Sequence, residues 1–121
     1  MSLEILAVDD SRTMRDMIRF ALEPAGFTVH TADDGVHGTE VLGEIVPDVI
    51  ITDINMPRMD GFGFIDAERH RNEHRTTHIL VLTTEAAPEL KMRARAAGAT
   101  GWIVKPFDPV KLVNALQMVA G

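Results

Sequence analysis

Five short aliphatic runs alternate with five longer amphipathic ones along this chain, and that alternation restricts the fold more than any other feature. A short apolar run bounded by turn residues reads as a strand covered on both faces, whereas apolar residues recurring every three or four positions read as one face of a helix. Successive strand, helix and parallel strand close almost always as a right-handed crossover. The pattern predicts an α/β chain whose mostly parallel sheet lies between layers of helices.

In chain order, Glu4 to Val8 is the first predicted strand and runs into Asp9-Asp10, after which Ser11 is placed to cap a helix carrying Met14, Met17, Ile18, Ala21 and Leu22. Pro24 disturbs the last turn of that helix and Gly26 ends it. Phe27 to Ala32 is the second strand, followed by the turn Asp33-Asp34-Gly35 and a helix bearing Val41, Leu42 and Ile45. Val49 to Thr52 is the central strand and meets a carboxylate at Asp53. Pro57 and Gly61 then fix a loop before a helix with Phe62, Phe64 and Ile65. Ile79 to Leu82 is the fourth strand, ending in Thr83-Thr84-Glu85. Pro88 suits the first turn of a helix that passes Leu90, Ala94 and Ala97 and stops at Gly98. Gly101 to Val104 is the fifth strand, ending in Lys105-Pro106. Asp108 caps a last helix with Pro109 at its first position and Leu112, Val113, Leu116 and Val119 along it.

A length of 121 residues suits one core and predicts a single domain over residues 1–121, with no linker or repeat to attach an output domain. The absence of cysteine excludes disulfides, thiolate catalysis and thiolate metal sites. The apolar runs are too short to span a bilayer, and Met1-Ser2-Leu3-Glu4 does not open a secretory signal, so a cytoplasmic location without a membrane partner is the expectation. A formal net charge of −6 argues against nucleic acid as a partner, because phosphate binding needs a basic patch that releases counterions. An acidic domain of this size suits other proteins as partners.

Four of the five predicted strand ends carry polar residues: Asp9 and Asp10, Asp53, Thr83, and Lys105. Right-handed crossovers bring all of them to one edge of the sheet, where open α/β sheets place their chemistry. Three carboxylates in one crevice repel, so either a pKa rises or a cation sits between them. Oxygen donors without histidine or thiol point to magnesium, with manganese as a mimic. A divalent ion beside a carboxylate, with a lysine and a hydroxyl facing the same spot, is what phosphoryl transfer to oxygen requires, and Asp53 would be the nucleophile.

With D-D-S after the first strand, D-I-N-M-P-R-M-D-G around the third, T-T-E after the fourth and K-P-F after the fifth, the chain resembles the receiver domains of response regulators, of the chemotaxis CheY type. The resemblance spans the whole chain. It implies a flavodoxin-like, doubly wound (βα)5 three-layer sandwich with strand order 2-1-3-4-5. It also implies that Asp53 accepts phosphoryl from a phosphohistidine of a CheA-like histidine kinase. Magnesium would be held by Asp10, Asp53 and the backbone carbonyl of Asn55, with Asp9 helping through water. Lys105 would pair with the phosphoryl group and precede a cis Pro106, and Thr83 would hydrogen-bond to the phosphoryl as it forms. Trp102 falls at the aromatic switch position, where the family usually has tyrosine or phenylalanine. Asn55 and Glu85 match the positions that tune dephosphorylation.

Each of these residues also has a plainer reading. Asp9-Asp10 alone fits a capping pair, Thr83 a strand end, Lys105 a solvated charge and Trp102 simple packing. His70, His74 and His78 would align as metal ligands on one continuous helix, but in R-H-R-N-E-H-R-T-T-H they read as a helix end and loop, with the arginines forming a solvated face. Glu68 interrupts an apolar stripe, so either the helix frays early or its head reaches water. Val110 and Met118 extend the last helix's apolar surface toward a docking face.

Two functions fit. One is a phosphorylation-dependent signalling switch of a two-component, chemotaxis-type system, monomeric and without an external product. It would bind a target such as a flagellar motor switch protein or drain a kinase as a phosphate sink. The other is a small magnesium-dependent phosphohydrolase with an aspartyl nucleophile, disfavoured because Asn55 stands where a second acid is wanted and no lid segment follows. A DNA-binding regulator is a third class, against which the net charge argues.

Overall fold

A computed structural model describes residues 3–71 and 76–120. Five strands, β1 (Glu4–Val8), β2 (Thr28–Ala32), β3 (Val49–Thr52), β4 (His78–Thr83) and β5 (Gly101–Val104), form one parallel sheet in the order β2-β1-β3-β4-β5. Four helices connect them, α1 (Arg12–Leu22), α2 (Gly35–Leu42), α3 (Gly61–Arg69) and α4 (Pro88–Ala97), and a fifth, α5 (Pro109–Ala120), follows β5. This is the doubly wound, flavodoxin-like arrangement.

Side-chain alternation along the strands sorts the core into two halves. Ile5, Ala7, Val49, Ile51, Leu80 and Leu82 pack with Ile18, Leu22, Leu112 and Leu116 of α1 and α5. Leu6, Val8, Ile50, Ile79 and Val81 point the other way, onto Leu42, Phe64, Ile65 and Ala94 of α2, α3 and α4. The inner strands therefore carry unbroken apolar runs, Ile5 to Val8, Val49 to Ile51 and Ile79 to Leu82, as a sheet covered on both faces demands.

The helix starts follow local chemistry. Ser11 Oγ accepts from the Met14 N–H at 3.2 Å, and Asp108 Oδ1 accepts from the Val110 and Lys111 N–H groups at 2.9 and 3.3 Å. Asp34 and Asp60 cap α2 and α3 by accepting from the His37 and Gly63 N–H groups, each at 2.8 Å. Gly98 ends α4 at φ 112°, a left-handed cap that a Cβ would strain. Pro24 converts the end of α1 into a 3-10 turn, Glu23–Ala25.

Several expectations are corrected. Helix α2 ends at Leu42, with Gly43 at its cap, so Ile45 lies beyond it. Met17 is exposed although it shares the helical spacing of Ile18 and Leu22. Glu68 is neither frayed nor wet: α3 runs on to Arg69 and Glu68 is buried among its core residues. Arg69 and Arg71 are not a solvated face. Arg69 donates to the Thr77 and Gly98 carbonyls at 2.8 and 2.9 Å, and Arg71 to the Thr39 carbonyl at 3.2 Å, which ties the end of α3 to β4, α4 and α2. His70 follows the end of α3 and His78 opens β4, so they share no helix, and His74 lies outside the described residues.

Candidate functional site

Parallel pairing continues past the strand ends and fixes the residues that follow. The Asp9 N–H donates to the Ala32 carbonyl at 3.1 Å, the Asp53 N–H to Val8 at 3.0 Å, and the Lys105 N–H to Thr83 at 2.8 Å. Asp9, Asp53 and Lys105 are thus locked by backbone bonds at the carboxyl edge of β1, β3 and β5. Gly61 allows this closeness, because a Cβ there would overlap the Asp53 carbonyl oxygen.

Lys105 Nζ donates to Asp9 Oδ2 and to Asp53 Oδ2, both at 2.7 Å. All three side chains are nearly enclosed, at 11%, 3% and 10% exposure. The second oxygens are also engaged: Asp9 Oδ1 accepts from the Ser11 N–H at 2.9 Å and Asp53 Oδ1 from the Ile54 N–H at 2.6 Å. Arg15 donates to the Asp9 carbonyl at 2.6 Å. Asp10 is exposed, yet a carboxylate oxygen of each of Asp9, Asp10 and Asp53 lies within 4.8 Å of the others.

The charge balance follows from that enclosure. Burial pushes the Asp9 carboxyl above its ordinary value of 3.8, against the pull of its bonds to Lys105 and the Ser11 N–H. Burial also works against the Lys105 charge, but the bonds to Asp53 and Asp9 outweigh it and hold its pKa above the ordinary value. The two directions are compatible because one lysine is shared by two carboxylates. Charge in the crevice is left incompletely neutralised, and hard oxygen donors at this spacing suit a small divalent cation.

Thr83 is fully buried at the end of β4, and its Oγ1 accepts from the Glu85 N–H at 3.4 Å. Glu85 joins three predicted residues: its backbone carbonyl accepts from Trp102 Nε1 at 2.9 Å and its carboxylate from Asn55 Nδ2 at 3.1 Å. Trp102 is half-buried on β5, outside the acidic crevice. The Lys105–Pro106 peptide is cis.

Sequence reasoning missed Arg58. It sits in the loop after Asp53 at φ 65°, in the left-handed region. Its Nε and one terminal nitrogen donate to the two oxygens of Asp34 at 2.6 and 3.0 Å. That fork holds the Asp34 carboxyl below its ordinary range. Nothing in the local sequence marks an arginine for such a backbone, since glycine and asparagine are its usual occupants.

These features belong to a known class of signalling domain. The response regulator receiver domain matches residues 5–117, and the chain belongs to that family. It resembles the chemotaxis response regulator CheY4 of Vibrio cholerae, with 46% identity and a TM-score of 0.93 over 98% of this chain and 99% of that one. It is 38% identical over 115 residues to the sensor histidine kinase CheAY of Helicobacter pylori, covering 93% of this chain but spanning only 14% of that protein. The receiver domain of sensor histidine kinase PA1611 from Pseudomonas aeruginosa, solved with magnesium coordinated in its active-site cleft, is 26% identical with a TM-score of 0.91 over 100% of this chain and 99% of that one. The chain is a CheY-like receiver of two-component signalling, and among its described residues no helix is long and apolar enough to cross a membrane.

Proposed function

We propose that this receiver is a chemotaxis-type switch thrown by phosphorylation of Asp53. The observation that carries this reading is Lys105 bridging Asp9 and Asp53 at 2.7 Å each, with Asp10 beside them. A magnesium ion, or manganese in its place, held by Asp10, Asp53 and the Asn55 carbonyl with Asp9 through water, would neutralise charge on the carboxylates and the incoming phosphoryl oxygens.

A carboxylate oxygen of Asp53 attacks the phosphorus of a kinase phosphohistidine. The new P–O bond forms as the P–N bond breaks, and the departing imidazole takes up a proton. Lys105 follows the charge from the carboxylate to a phosphoryl oxygen. Thr83 turns its hydroxyl to the phosphoryl group and so releases the Glu85 N–H. Glu85 then holds one bond fewer, and Trp102, tied to its carbonyl, shifts with it. Asn55 and Glu85 govern the later attack of water that returns free phosphate and the carboxylate.

The upstream partner is a CheA-like histidine kinase. The altered face is read by a target protein such as a flagellar motor switch component, or the phosphoryl group is simply drained. Incubation with magnesium and acetyl phosphate is expected to add one phosphoryl group by intact mass, and Asp53→Asn to abolish the gain. A gain that survives Asp53→Asn would overturn the assignment, as would sustained turnover of a generic phosphomonoester abolished by that substitution.

A further inference from the structure

The loop between β3 and α3 carries the Asn55 carbonyl but has no regular structure to hold it. Its base is closed by the Gly61 N–H donating to the Ile54 carbonyl at 2.8 Å. Between those points two side chains reach to opposite neighbours, Asn55 to Glu85 and Arg58 to Asp34. The second is the more demanding link. Arg58 presents two donors in a fork to a carboxylate that is only 7% exposed, and one of the same oxygens already caps α2 through the His37 N–H. Bidentate charge-assisted geometry onto an enclosed partner separates this pair from an ordinary surface ion pair.

Arg58 also keeps a left-handed backbone that few non-glycine residues adopt. Such a conformation persists only where its surroundings impose it, and an observed outlier of this kind beside a site is a pointer to function. The fork supplies the imposition, because it fixes the loop tip to the N-cap of a helix that is itself anchored in the core through Leu42.

We infer that the Arg58–Asp34 pair is a positioning clamp that sets the loop after Asp53 before any cation arrives, so that the Asn55 carbonyl is in place for it. This rests on reading the acidic crevice as a metal and phosphoryl site. The ordering of the loop is completed on folding, not on binding, so the clamp acts on metal affinity and leaves the phosphoryl step at saturating metal alone.

Two substitutions separate the clamp from its neighbours' other duties. Arg58→Gly removes the fork and relieves the left-handed strain, and Asp34→Asn keeps a side-chain oxygen to cap α2 while losing the charge. Calorimetric titration with magnesium alone is expected to show affinity weakened on the order of tenfold in each, with Arg58→Lys between wild type and Arg58→Gly. The double variant is expected to be no weaker than either single one. Hydrogen exchange on the metal-free protein is expected to quicken at residues 55–59 and to stay unchanged in β3. Asp53 labelling at saturating magnesium is expected to remain within about twofold of wild type. Wild-type magnesium affinity in Arg58→Gly and Asp34→Asn, or strictly additive losses in the double variant, would overturn the clamp and leave the site reading intact. Failure of the wild-type protein to bind magnesium would overturn the site reading, and the clamp with it.

Discussion

At the amino edge of the sheet, Asp48 accepts from the Glu4 N–H at 2.7 Å, its carbonyl accepts from the His78 N–H at 3.1 Å, and the Thr77 hydroxyl donates to the Pro47 carbonyl at 2.8 Å. At the carboxyl edge, Lys105, Asp9 and Asp53 meet as charges in near-complete enclosure. The first arrangement directs side chains at backbone and so fixes where strands begin. The second directs charge at charge, where desolvation offsets much of the Coulomb gain and little net stability results. One edge ties side chains to the backbone that starts the strands, while the other gathers the charged groups whose partners the proposed phosphorylation would exchange.

Lys105→Ala is the sharpest way to break that contrast. It removes the shared cation, and the rate of Asp53 labelling is expected to fall by about 10²–10³, the loss typical of one preorganised charge-stabilising donor. Labelling at the wild-type rate would show that the lysine is merely structural. Thr77→Val at the opposite edge keeps the shape but drops the hydroxyl, and urea unfolding is expected to show a loss of about 1–3 kcal/mol with labelling unchanged. If labelling falls in step with stability, the edges are not separable. Asp48→Ala removes a more exposed bond, with an expected cost of about 1 kcal/mol in the same measurement.

The smallest effect lies in acid. A carboxyl whose folded pKa is lowered stabilises above its unfolded value and loses that contribution as pH falls through the folded one. Asp34 is of this kind, so wild-type stability should decline below its ordinary value of 3.8 partly on its account. Asp9 has the opposite sign: raised above 3.8, its contribution favours the fold in acid and is lost as pH rises through its folded value. Stability measured from pH 3 to 5, chosen around that ordinary value, should therefore vary less steeply in Asp34→Asn and more steeply in Asp9→Asn. Reversed slopes would refute the assigned shifts.

The strands and the helix caps were legible because their signals are local. Ser11 and Asp108 announce helices within a turn of themselves, and Val49 to Thr52 needs only its own side chains to read as a covered strand. The ends of β1, β3, β4 and β5 were legible because topology alone sends them to one edge. Glu68, Arg69 and Arg71 were misread because their partners lie far along the chain, where a charged residue in a polar stretch gives no sign of burial. The Arg58 fork and Glu85's place among Thr83, Asn55 and Trp102 were invisible for the same reason: each bridges separate elements.

The indole bond to the Glu85 carbonyl has one more consequence. Trp102 is the only tryptophan in the chain, so its ultraviolet emission comes from a single ring with a single named donor contact. Emission from an indole depends on whether its N–H stays engaged and on how much water reaches the ring. The β4–α4 loop thus carries its own optical gauge, readable in the unlabelled protein as that contact is kept or lost.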